Sequence, residues 1–312
     1  MKQPSELEQQ RWMTGIDYVR MIEHELGVPP RVILDDCVEI PLYVDGVQQH
    51  GVLNKDIDNP TALNQETNPS GSVVNRYQGT TADGIPLPHV VWVAFGRNEI
   101  RRDDLTRVRS GVQMIGYNEK TGATAFFESK PEVDEHWITR DETTLRMRGT
   151  LPWIDEPDKF NRAFFFSGFE CNSCHQSDPF ITTPFIDAAT LPGTKEPVVP
   201  FLDEDSPYHV IGGENWDMRT LQIEGNECLD CHRVGMKTIE VMGRAGYDIN
   251  KLMPPSDPGS LADDYRQLVE AWVGGIESVE GARWHIPKAG EHEAQTVGED
   301  YGFAADWNTA EQ

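Results

Sequence analysis

Two short stretches hold the residue types that could do chemistry together: Cys171-Asn172-Ser173-Cys174-His175 and Cys228-Leu229-Asp230-Cys231-His232. Both read Cys-x-x-Cys-His, the pattern of covalent haem attachment. Two thiols about one helical turn apart can add across the two vinyl groups of one porphyrin, and the adjacent imidazole then meets the iron. The spacing therefore predicts two covalently bound haem c groups. One would be held by Cys171, Cys174 and His175, the other by Cys228, Cys231 and His232, with His175 and His232 as proximal iron ligands.

A structural zinc site is the competing chemistry, since two Cys-x-x-Cys pairs can also close a tetrahedron. Zinc pairs in a compact ribbon are usually about 15 to 20 residues apart, whereas 53 residues separate Cys174 from Cys228. Zinc also gives no reason for a histidine to follow the second cysteine twice. A redox dithiol would want a strand leading into the motif, and none is legible.

Each iron needs a sixth ligand or a vacancy, and that choice separates an electron carrier from a catalyst. Lys251-Leu252-Met253-Pro254-Pro255 is followed by an amphipathic stretch through Trp272 to Gly275. The span from Cys228 to Gly275 resembles an abbreviated class I cytochrome c domain, in which a Met-Pro segment supplies the axial thioether and a terminal helix packs on the haem. That resemblance implies Met253 opposite His232, with only 20 residues between them. Met236 and Met242 compete, and packing beside the porphyrin is the ordinary role of methionine. For the first iron, His209 is the favoured metal ligand and Met218 its rival, with His285, His136 and His89 as further sources. Phe164-Phe165-Phe166, Phe169, Phe180 and Phe185 flank the first motif and are expected to wall its haem or pack as core aromatics. Cys37, the fifth cysteine, reads as a small buried hydrophobe.

The elements that must position these groups differ along the chain. Ser5 and Glu8 have capping-box spacing ahead of Trp12, Ile16, Val19, Ile22 and Leu26, which predicts a leading helix stopped by Gly27 and Pro29. From Val32 to about Met147 the pattern turns to short β-rich runs. They include Val38 to Val44, Val90 to Phe95, and a hairpin of Gly111–Tyr117 with Ala123–Glu128 turning at 118–122. The Asn, Thr, Gly and Asp-rich stretch from Asn54 to Asp83 shows no sustained period and is expected to be a long surface loop. After Leu151 the chain is rich in Pro and Gly until a last helix begins near Ser260, with Leu261, Tyr265, Leu268, Val269, Trp272 and Val273 on one side.

These patterns predict an α+β multidomain fold. A β-rich N-terminal domain with a leading helix (1–151) precedes a mainly α or irregular dihaem cytochrome c domain (152–288). An acidic C-terminal extension (289–312) carries six carboxylates from Glu291 onward and no Lys or Arg. The chain's 52 acidic and 27 basic residues give a net charge of −25, which disfavours nucleic acid and anionic lipid and suits a redox partner with a basic docking face. No apolar run has the length of a transmembrane segment. Met1 leads into a polar helix rather than an export signal. Haem attachment of this kind takes place outside the bacterial cytoplasmic membrane, so the expectation is a periplasmic or extracellular protein whose leader has been removed. The function expected is electron transfer between redox partners, the alternative a dihaem peroxidase-like oxidoreductase with an open first iron.

Overall fold

The computed structural model describes residues 13–54, 57–61, 67–100, 107–166, 171, 174–203, 205–213, 218–230, 234–235 and 262–288. Its centre is a seven-stranded sheet. The strands are β1 (Val38–Glu39), β2 (Val73–Thr80), β3 (Pro86–Ile100), β4 (Val108–Asn118), β5 (Ala123–Ser129), β6 (Phe164–Phe166) and β7 (His209–Val210). The first six lie side by side in chain order and antiparallel, and β7 pairs with β5 in parallel. The same edge of β5 is thus shared end to end, β6 along residues 127–129 and β7 along 123–124. The chain between β6 and β7, which contains the first motif, leaves and rejoins the sheet at that edge.

The expected hairpin forms as read, Tyr117 facing Thr124 across β4 and β5. In its turn, Asn118 Oδ1 accepts from the Lys120 and Thr121 amides at 3.0 and 3.4 Å, an Asx turn that closes the strands. The region expected to be a loop differs: within 54–83, Thr67–Pro69 pairs with Val52–Asn54 and β2 runs eight residues through the sheet. Its polar run Asn75-Arg76-Tyr77-Gln78 hides the strand because the polar groups find partners within the fold. Arg76 Nε donates to the Val198 carbonyl at 2.7 Å and its Nη2 to that of Pro197 at 2.6 Å. The run expected from Val38 to Val44 is split at Ile40-Pro41 into β1 and a ribbon strand, Leu42–Val44.

Alternation divides the sheet into two faces. On the first, Trp92, Ala94, Val112, Met114, Ala125 and Phe127 meet helix α1 (Gly15–Leu26) through Tyr18, Val19, Ile22 and Leu26. Helix α3 (Pro157–Ala163) adds Phe160 and Ala163, and α2 (Glu132–His136) adds Val133. Helix α1 is capped by Thr14, whose hydroxyl accepts from the Asp17 amide at 3.2 Å; the Ser5 and Glu8 cap lies outside the described residues. It ends as expected at Gly27, at φ +66°. A Cβ there would sit 2.1 Å from the Thr80 carbonyl oxygen, the group that receives the Val28 amide at 2.9 Å, so close docking of the helix end on β2 requires glycine.

The second face carries Val93 and Tyr117, with Phe95 and Ile115 partly buried beside them. It is covered by Phe180, Val198 and Val199, with Phe185, Ile186 and Ala189 of and beside α4 (Pro184–Asp187). Residues beyond 152 thus supply two strands of the main sheet and the lid on its second face, and the N-terminal layer continues past the expected boundary. The apolar phenylalanines after 152 need a sheet to cover them, and the β-rich half provides it. Further on, β8 (Thr220–Ile223) is flanked by β9 (Val234–Gly235) and β10 (Ala282–His285). The last helix, α5 (Ala262–Gly274), packs Leu268 and Ala271 against Leu221 and Ile223. The whole is a mixed α+β structure with a large β-rich N-terminal region and few helices. Among the described residues no helix is long and apolar enough to cross a membrane. The acidic extension lies outside the described residues.

Candidate functional site

The first motif is built on one helical turn. The Cys174 and His175 amides donate to the Cys171 carbonyl at 3.1 and 2.9 Å, which brings the two cysteine positions together as attachment to one porphyrin requires. Cys171 lies against an apolar cluster of Phe126, Tyr208, Val210 and Met218, with Ile115 beside it, on the second face of the sheet. Cys174 is exposed and Cys171 partly so. Although Cys174 reaches the surface, its surroundings desolvate the thiol enough to raise its pKa, and the Arg97 charge pulls the other way.

His175 is held from three sides. Its Nδ1 is 3.2 Å from the Asp178 carbonyl, its ring lies 5.2 Å from that of Phe126, and its own carbonyl accepts from the Tyr208 hydroxyl at 2.5 Å. A carbonyl partner assigns the proton to Nδ1 and leaves Nε2 as the lone-pair donor, the arrangement a metal-binding imidazole needs. Desolvation pushes the His175 pKa down to about 4, against the raising effect of the Asp178 and Pro179 carbonyls. The ring is therefore neutral, and able to ligate, across the physiological range. Tyr208 stays protonated: burial, with the charges of Asp178, Cys171 and Tyr18, raises its pKa well above that of a free phenol. Accessible cysteines on one turn and a neutral, tautomer-fixed histidine fit a haem c.

The sequence signals for Tyr208 were weak, because a lone tyrosine far from the motif has no periodic or spacing cue. The same strand settles the placement of His209. Tyr208 and Val210 turn to the Phe126 cluster, while Ile211 packs on the first-face core. Alternation sends His209 to the Ile211 side, so the structure does not bring it to the face that holds His175. Met218, 1% exposed, is the candidate that shares a cluster with Cys171. His136 lies against Trp137 in α2, His89 on the exposed beginning of β3, and His285 on β10. Phe164 and Phe166 belong to the first-face core, opposite the motif, and so do not wall it. Phe180 and Phe185 cover the sheet instead, edge-on to Tyr117 and Phe95. Phe169 lies outside the described residues.

Of the second motif, Cys228 is described, whereas Cys231, His232, Met253, Met236 and Met242 lie outside the described residues. Cys228 is buried among Leu221, Ile223, Leu268 and Ala271, so the last helix does reach this cysteine. Asn226 joins the two elements. Its Oδ1 accepts from the Cys228 amide at 3.2 Å, and its Nδ2 donates to the Asp264 carbonyl and Gln267 Oε1, both at 2.9 Å. From Asp264, Oδ1 receives the Glu227 amide at 3.0 Å. Asn226 is 3% exposed, and replacing it by alanine strands buried donors and acceptors. We expect Asn226→Ala to cost about 1 to 3 kcal/mol and to lower the yield of haem on the Cys228 peptide but not on the Cys171 peptide, as read by peptide mass mapping.

On the second face of the sheet, α4 carries one carboxyl out of place. Asp187 Oδ1 is buried and makes no hydrogen bond among the described residues, and desolvation raises its pKa to about 6. The folded state thus binds this proton more tightly than the unfolded chain, so stability falls as pH rises from the ordinary carboxylate range through about 6 and is level above it. Asp187→Asn should match wild type near pH 4 and exceed it by about 1 kcal/mol at pH 8, a figure reduced for partial solvent screening. Thermal melts at the two pH values check the difference.

Cys37 is a buried thiol as expected. Its Sγ lies 3.4 Å from the Ile33 carbonyl and 3.7 Å from the Tyr77 hydroxyl, and desolvation lifts its pKa to about 11, which leaves it protonated and unreactive. Among the described residues no three His, Cys, Asp or Glu side chains converge as a metal-holding group. Compared with protein-family models, with curated proteins and with solved structures, the chain matches none.

Proposed function

We propose that the protein is an exported dihaem c-type cytochrome that passes single electrons between redox partners. The observation that carries this reading is the Cys171–His175 turn, with its two accessible cysteines and a neutral His175 whose Nδ1 is engaged by the Asp178 carbonyl. Haem bound there supplies a one-electron iron couple. The protein's own residues hold and insulate it. The Asp178 carbonyl holds the imidazole, Tyr208 holds the backbone of His175, and the Phe126 ring packs against the imidazole. Cys171 and Cys228 sit in different apolar clusters, which favours two separate cofactors over one shared zinc. For the second haem, His232 and Met253 are the proposed axial pair. A net charge of −25 suits a partner with a basic docking face, and haem of this type suits the periplasm or the extracellular space.

A peroxidase-like role for the first haem is favoured by one specific observation: His209, the histidine expected to cap that iron, is turned to the other face of the sheet. Met218 is the remaining candidate near Cys171. Visible and electron paramagnetic resonance spectra decide between the two. Two six-coordinate, low-spin irons and no carbon monoxide binding after reduction support electron transfer. A high-spin ferric signal with hydrogen peroxide turnover contradicts it.

A further inference from the structure

On the second face of the sheet, beyond Phe95 and Ile115, the alternation of β3 and β4 continues into polar residues: Arg97 on one strand, Gln113, Gly111 and Arg109 on the other. With Glu128 of β5 and Phe165 of β6, among others, they line a cleft of about 410 Å³, a size that suits a small molecule. The chain as a whole has a net charge of −25, but the lining of this cleft holds four Arg or Lys against four Asp or Glu. Several of them are engaged. Arg107 Nη2 lies 3.3 Å from Asp134, which Arg140 also binds, and Lys130 Nζ donates to the Asn161 carbonyl at 2.5 Å. A lining balanced in this way favours an ion of neither sign.

Hydrogen-bonding capacity of both kinds is left over. Arg97 Nε, a donor, and Gln113 Oε1, an acceptor, are buried with no hydrogen-bond partner among the described residues, which costs free energy until partners arrive. Arg109, although engaged elsewhere, has its Nε in the same state. The Gln113 amide is oriented by its own Nε2, which donates to Glu128 Oε1 at 2.7 Å, so the oxygen is the atom that remains. Arg97 faces Gly111 in register, which makes Gln113 its diagonal neighbour on the same face. Both side chains are long and half-buried, and rotation about their outer torsions presents the two atoms to the cleft. A group that serves both must accept from one and donate to the other. An ionised carboxylate only accepts and an ammonium only donates, whereas a hydroxyl does both. Gly111 keeps the floor beside them low. A Cβ there would meet nothing closer than 3.5 Å, and its φ is not positive, so neither packing nor backbone demands glycine. Phe165 contributes an apolar ring to the lining, a surface on which the C–H face of a sugar ring can pack.

We propose that this cleft binds a neutral saccharide, with hydroxyl groups satisfying Arg97 and Gln113. The proposal is independent of the haem assignment. The test is saturation-transfer NMR, with thermal melts, on the intact protein with glucose, galactose, mannose and maltotriose, and with inorganic phosphate and glycine as ionic controls. At least one sugar should receive saturation and raise the melting temperature. Gln113→Met and Arg97→Lys should each bind it about tenfold more weakly, and Gly111→Val, which fills the floor, should not bind it. Arg97→Lys keeps the charge and removes Nε, so its loss of affinity separates hydrogen bonding from attraction of an anion. Tighter binding of maltotriose than of the single sugars would make a glycan chain the occupant, and equal binding a free sugar; either supports the proposal. Stabilisation by phosphate or glycine but by no sugar, sugar binding undiminished in all three variants, or no saturation transfer to any sugar overturns it.

Discussion

His175→Gly is expected to leave one of the two irons without its proximal nitrogen, turning about half of the low-spin haem absorbance high-spin. Two of the contacts that hold this segment do not depend on the ring: Cys171 packs against the Phe126 cluster, and the Tyr208 hydroxyl binds the backbone carbonyl of His175. The glycine variant should therefore retain a preformed cavity, and added imidazole should restore the low-spin spectrum. A structural histidine would give neither the half-amplitude change nor the rescue. Absorbance and electron paramagnetic resonance with and without imidazole provide the readout. A wild-type spectrum in the variant would remove His175 from the iron.

The second large effect lies on the opposite face of the sheet. Trp92 is fully buried between α1 and the sheet, its Nε1 donating to the Leu26 carbonyl at 3.2 Å. Its ring also occupies the space above Gly116, where a Cβ would come within 2.6 Å of it. Trp92→Ala opens a large cavity and orphans a carbonyl, and should lower stability by about 3 to 5 kcal/mol. Denaturant titration measures the loss. Because Trp92 and His175 occupy opposite faces, the fraction that remains folded should keep the wild-type haem spectrum. A spectrum altered in proportion to the lost stability would mean that the two faces are coupled more tightly than the packing implies.

The parts legible in the sequence are those whose chemistry demands a spacing. Cys171, Cys174 and His175 share a turn, the spacing that the proposed attachment to one porphyrin would need. Gly27 and the 118–122 turn were readable because close approach and Asx geometry select few residues. Strand β2 was hidden because Arg76 and Gln78 look solvent-facing until their partners are known. Arg76 binds carbonyls of Pro197 and Val198, more than a hundred residues away, and Gln78 Nε2 donates to the Val90 carbonyl at 2.9 Å.

The same limit governed the site. Proximity in the chain made His209 attractive as a ligand, but the two-residue alternation of β7 decides which side its ring takes, and that side is set by the Tyr208 and Ile211 packing. Tyr208 and Asn226 carry no motif of their own, and only the fold places Tyr208 in the cluster beside Cys171 and Asn226 against the Cys228 amide. The change of sequence style near 152 reflects the switch from strands to the covering segment, whose apolar residues then return to the N-terminal sheet.

Covalent attachment of two haems is the claim on which the rest depends, and intact mass combined with the visible spectrum of the protein exported from a bacterium that matures c-type haem tests it most directly. We expect a mass equal to the polypeptide plus two haems, with one haem each on the peptides containing Cys171 with Cys174 and Cys228 with Cys231. The bare polypeptide mass, with these cysteines free to react with thiol reagents or holding zinc, would contradict it.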